Sequence, residues 1–192
     1  MIGPIALFLV AASGSAPIPA LTPERVQEAI EYGKVAGDRE LAQYPLHDEE
    51  TWLANFDTPF LRVAQLAAAL RKDDKPLEPK DLPVEFAAGQ VHVYVHAKDD
   101  GERAPRSVSY VALVEPGQEG HVESVIPPVS SSSYVRRVPT QGSRAALARI
   151  ARSMKAVFPL ALFVPGNRLR VSFDDGATET VALDAKMFAG VR

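Results

Sequence analysis

The stretch VHVYVHAK, residues 91–98, decides the fold class. Val91, Val93 and Val95 alternate with His92, Tyr94 and His96. Valine at every second position marks a strand with one buried face. The two histidines stand four apart, a spacing that would build a metal site on a helix. On a strand the same spacing separates them by about 13 Å. Ligands of one ion must lie within about 4 Å of each other, because each bond is about 2 Å long. His92 and His96 therefore cannot share an ion, and the stretch reads as the polar face of a strand. Either one could join a ligand from a neighbouring strand, and the chain holds only two other histidines, His47 and His121.

Working outward, SVSYVALVE (107–115) alternates in the same way and is closed by Pro116-Gly117. Asp99-Asp100-Gly101 reads as the turn before it. HVESVI (121–126) and SYVRRV (133–138) are further strand candidates, with the serines of 130–133 as a flexible link between them. RLRVSF and TETVAL flank Asp174-Asp175-Gly176-Ala177, a hairpin pattern. VFPLALFV (157–164) is β-like but interrupted by proline, as an edge or a bend. From Gly142-Ser143, by contrast, Leu147, Ile150, Ala151 and Met154 fall on one side of a helix.

Upstream the pattern is helical. Thr22-Pro23-Glu24 and Thr58-Pro59 are both helix starts, with a capping hydroxyl followed by proline at the first helical position. Behind them, Val26, Ala29, Ile30 and Gly33 form one apolar stripe, and Phe60, Val63, Leu66, Ala67 and Leu70 another. Gly37 would end the first helix. Residues 38–50 suggest a short helix, and TWLANF (51–56) a short strand. The expected fold is α+β, with N-terminal helices packed on an antiparallel β-sandwich or strongly curved sheet of six to seven strands. One globular domain is expected over 21–192: a helical part (21–72), a proline-rich connector (73–83) and a mainly β part (84–192).

The first twenty residues, MIGPIALFLVAASGSAPIPA, read as an export signal. The apolar run Ile5 to Ala12 is too short to span a bilayer and is followed by small residues. Cleavage is expected near 15–20, with Ser15 the favoured site, since a cut after Ala16 would leave Pro17 behind it. No lysine or arginine precedes the run. The expected location is the periplasm or the exterior, with no transmembrane segment in the mature chain. The absence of cysteine excludes disulfides, thiol nucleophiles and thiolate metal sites.

Motifs for catalysis are scarce. The chain has no Gly-x-Ser-x-Gly elbow, phosphate-cradling glycine loop or His-Glu-x-x-His pair. Paired aspartates sit in turns and lack the alternating oxygen ligands of a calcium loop. No cofactor is expected, and the reading leans away from an enzyme. The alternative is a loop-assembled hydrolase or metal-dependent enzyme centred on His92, Tyr94 and His96, with His121 as a further ligand; another is a structural module without a ligand.

Charge carries the stronger signal. Net charge is only -3, which offers no bulk argument for nucleic acid. Yet no acidic residue lies between Glu123 and Asp174, while Arg136, Arg137, Arg144, Arg149, Arg152, Lys155, Arg168 and Arg170 all do. Read as a helix, Arg144, Arg149, Arg152 and Lys155 span about 140° opposite the apolar side. Arg136, Arg137, Arg144, Arg149, Arg152 and Lys155 are thus the candidate contacts for an anionic surface or acidic envelope partner. They could equally pair with the acidic N-terminal half.

TPFLRVAQLAAAL, following a tryptophan-containing segment, and the ending VFPLALFVPGNRLRVSFDDGATETVALDAKMF resemble a group of uncharacterised exported bacterial proteins. The resemblance covers the second helix and the last forty residues. It implies export and carries no activity or site residues.

Overall fold

The computed structural model describes residues 18–98, 105–117, 123–138 and 149–192. Two helices come early, as their caps predict. In α1 (Pro23–Val35) the Thr22 hydroxyl accepts from the Arg25 amide, and the helix stops at Ala36. In α2 (Pro59–Lys72) the Thr58 hydroxyl accepts from the Leu61 amide and donates to the Arg192 carbonyl at 2.7 Å. One side chain thereby starts the helix and ties it to the last residue. The two helices share an apolar cluster of Val26, Ala29, Ile30, Phe60, Val63 and Ala67. Where they cross, an added Cβ on Gly33 would lie 2.1 Å from the Ala64 carbonyl oxygen.

Between the helices the chain forms β1 (Tyr44–Asp48) and β2 (Trp52–Asp57). The helix expected over 38–50 is therefore a turn followed by a strand. Pairing with β2 supplies β1 with ladder bonds that an isolated polar segment lacks. A short helix, α3 (Val84–Ala87), follows the connector. Seven strands come next: β3 (Gln90–Ala97), β4 (Val108–Glu115), β5 (Ser124–Ile126), β6 (Ser130–Val138), β7 (Arg149–Pro159), β8 (Arg168–Phe173) and β9 (Thr178–Ala182).

The strands form two antiparallel sheets, ordered β1-β2-β3-β7-β6 and β5-β4-β8-β9. Their inner faces meet as a sandwich. Trp52, Phe56, Val91, Val93, Val95, Met154 and Phe158 of the first sheet pack with Val111, Leu113, Leu169, Val171 and Phe173 of the second. Ile18 joins this core and is 1% exposed. The α+β sandwich expected from the sequence is thus present, with the first sheet completed by a hairpin from the nominally helical half. No described helix is long and apolar enough to cross a membrane.

Three local readings are corrected. Residues 149–159 form a strand, not the second half of a helix. β7 pairs with β3 on one side and β6 on the other, and Met154, Ala156 and Phe158 enter the core at period two. Gly142 to Ala148 lie outside the described residues, as do the turn at 99–101, His121 and Arg144. The serines 130–133 are not a link: they are the first half of β6, in register with Val157 to Met154. An edge strand exposed on both faces needs no apolar alternation, so serine serves there. Finally, β7 ends at Pro159, and Leu160–Leu162 make a single 3₁₀ turn in place of the strand read over 157–164.

Gly33→Ala is expected to lower stability by about 1–3 kcal/mol, since the methyl group must push the helix pair apart. A denaturation midpoint unchanged from the wild type would contradict the close crossing.

Candidate functional site

The polar side of β3 forms the floor of a cleft of about 440 Å³. Its walls are Arg62, Gln65 and Leu66 of α2 and Glu85 and Phe86 of α3, and its floor is Asp57, His92, Tyr94 and Lys155. The register explains the assembly. Asp57, His92 and Val157 stand side by side across three strands, and so do Asn55, Tyr94, Lys155 and Ser132 across four. Valine alternation on β3 turns all these polar neighbours to the outer face of the sheet.

Arg62 dominates the closed end. It is 5% exposed, donates from one terminal nitrogen to His92 Nε2 at 2.9 Å, and reaches the carbonyls of Glu85 and Gln90 from the other. Because guanidinium only donates, His92 accepts at Nε2 and keeps its proton on Nδ1. Burial, then the positive charges of Arg62 and Lys155, push the His92 pKa down to about 3. Burial raises the Asp57 carboxyl above its ordinary range, against a hydrogen bond from Gln43 and the neighbouring Tyr94. The Tyr94 phenol is also shifted upward, by burial and then by Asp57. This end of the cleft holds a neutral imidazole and a reluctant acid around one buried cation.

The floor continues toward the open edge of the sheet. Tyr134 of β6 faces Ser153 of β7, and its hydroxyl meets His96 Nδ1 at 3.2 Å. Ser153 is left 1% exposed. Burial and then Arg136 lower the His96 pKa. Lys155 lies 5.9 Å from the centre of the Tyr94 ring and makes no ion pair among the described residues. Arg136 is exposed one step beyond Tyr134 on the same face.

The predicted basic set is thus split by the fold. Arg136 and Lys155 lie on the outer face. Arg152 is exposed on the opposite face, across from Val135 and two residues from Ile150, which are 69% and 64% exposed. Arg137 and Arg149 lie on β6 and β7. Over 149–155 the basic helical face expected for 144–155 is replaced by a strand, which sends residues three apart to opposite sides, and Arg144 lies outside the described residues. Arg168 and Arg170 are held together by Glu123, the last acid before the basic segment, and add little free charge.

Sequence reading placed His92 and Tyr94 on a wet strand face. It missed Asp57, Arg62 and Glu85, which join them only through strand pairing and the placement of α2 and α3. A second cleft of about 320 Å³ lies between the helices and the connector. Two of its three cations are engaged, Lys34 with Glu31 and Arg71 with the Lys34 carbonyl, while Lys75 makes no ion pair among the described residues. Compared with protein-family models, curated proteins and solved structures, the chain matches none.

His92 is expected not to titrate between pH 5 and 8 in NMR. Its folded pKa lies below the unfolded value, so its contribution to stability is present above about pH 6.5 and is lost as pH falls toward 3. His92→Gln should flatten that part of the acid limb of the stability curve, and an identical limb would contradict the buried neutral imidazole.

Proposed function

We propose that this is an exported, non-enzymatic binding protein that holds an acidic envelope partner on the outer face of its first sheet. The contact surface runs from the cleft beside α2 to Arg136 at the β6 edge. The observation that carries the reading is Lys155. It is a cation without an ion pair among the described residues, set between Tyr94 and the open β6 strand. Arg136, Tyr134 and His96 extend the same face with donors and aromatic rings. No acidic residue occurs anywhere in β6 or β7, so an anionic partner meets no repulsion there.

Hydrolytic chemistry finds less support. His92 Nε2, the nitrogen a general base would use, already accepts from Arg62. Ser153, opposite Tyr134, is buried.

Immobilised heparin and polygalacturonate serve as anionic probes. Binding should weaken steeply between low and high salt. The double variant Lys155→Glu, Arg136→Glu should lose at least about tenfold in affinity. Lys80→Glu reverses a charge on the connector, in a turn that contacts α1 and does not line the cleft, and should bind like the wild type. Salt-sensitive binding that survives the double reversal would sink the assignment.

Export rests on the apolar run from Ile5 to Ala12, and the burial of Ile18 favours cleavage ahead of it. Mass determination of the protein recovered outside the cytoplasm should find Ala16 as the first residue. A mature chain starting beyond Ile18 would lack a core side chain and contradict this reading.

A further inference from the structure

A second polar constellation lies at one end of the sandwich, on the inner side of the sheets. It arises from an irregularity in β1. The register between β1 and β2 runs Tyr44 to Phe56 and Pro45 to Asn55, then skips Leu46, and resumes with His47 opposite Ala54. Without this bulge His47 would fall on the outer face. With it, His47 joins the side of Phe56 and Ala54, both fully buried. Its ring stacks on Trp52 at 3.9 Å between centroids and 28° between planes.

From the other sheet, Glu179 of β9 stands opposite Val171, a core residue. It too is a polar residue at an inner-face position, on the opposite sheet's edge strand. The Trp52 indole N–H donates to one oxygen of Glu179 at 2.5 Å, and Arg106 donates to the other. Arg106 is itself fixed against the Phe173 ring at 3.8 Å and by Asp175. Glu49, just past β1, brings a carboxylate oxygen to 3.7 Å from His47 Nε2. That nitrogen is shielded from solvent and has no hydrogen-bond partner.

We propose that His47, Glu49 and Glu179 bind one divalent transition metal ion of the zinc class, clamping edge strands β1 and β9 together. Their ligand atoms all lie within 4.8 Å of one another. Bonds of about 2.0–2.2 Å require that they close to about 3–4 Å. Glu49 is two-thirds exposed and can supply the movement, while His47 and Glu179 are held in place. The ring stack on Trp52 and the donors from Trp52 and Arg106 are the kind of outer contacts that orient metal ligands. One imidazole nitrogen with two carboxylates suits zinc or a neighbouring transition ion. It suits magnesium and calcium poorly, because these take oxygen ligands alone. The three protein ligands leave a fourth position for water. This set is separate from His92, His96 and His121, the histidines that the sequence offered for a metal.

The test is calorimetric titration of the full, untagged, chelator-stripped chain with zinc, then with magnesium and calcium. One equivalent of zinc should bind and raise the thermal midpoint, with neither hard cation competing. His47→Phe keeps the ring stack on Trp52 but removes the nitrogen. Glu49→Gln changes an exposed side chain that makes no side-chain hydrogen bond among the described residues. Each should weaken zinc binding at least about tenfold and abolish the thermal shift. His92→Gln should bind zinc like the wild type. The proposal is overturned if zinc does not bind, if binding survives His47→Phe and Glu49→Gln, or if magnesium or calcium binds more tightly.

Discussion

The structure depends on the two-sidedness of β3. This strand sits in the middle of the five-stranded sheet, and its valines bury one face completely. A slip of one residue would put three valines in water and two histidines and a tyrosine in the core. That cost pins the register of β2 on one side and β7 on the other. Each polar group of the outer face then takes its position from these two ladders. The cleft is therefore a consequence of core packing, and Arg62, Gln65 and Glu85 complete it from the helical side.

The same constraint explains why the basic segment does not act as one patch. Eight cations in a stretch free of acids invite a single reading, but the fold distributes the described ones over two faces and two sheets. Glu123 absorbs Arg168 and Arg170, while Lys155 and Arg136 share a face with Tyr94, His96 and Tyr134. Two cations beside aromatic rings make a weaker but more directional surface than a continuous basic helix. Such a surface reads position as well as charge.

Polar residues at inner-face positions are the exception that marks the other end of the molecule. His47 and Glu179 interrupt an otherwise apolar interior, and both lie on edge strands, where burial is partial and a bulge is tolerated. Trp52 touches both, stacking on one and donating to the other. A buried indole N–H requires an acceptor, which explains why an acid is kept so close to the core.

Local physics made much of this protein legible from sequence alone. Threonine caps with proline behind them set both helix starts, because capping needs only residues three apart. Valine alternation set β3, and Asp174 to Ala177 set the last hairpin, because strand faces and tight turns are also local. Sequence alone could not assign residues 149–155 or 130–133. Arg149 to Lys155 fits a helical wheel as well as an alternation, and a serine run has no period at all. Only pairing with β3 decided for β7, and only β7 gave β6 a partner. The sites follow the same division. His92 and Tyr94 could be placed on one face from spacing, but Asp57 and Arg62 reach them through contacts 30 or more residues away in sequence. His47 was the least accessible to sequence reading. One bulged residue at Leu46 reverses its face, and a bulge is settled by how two strands pack, not by the order of residues in either.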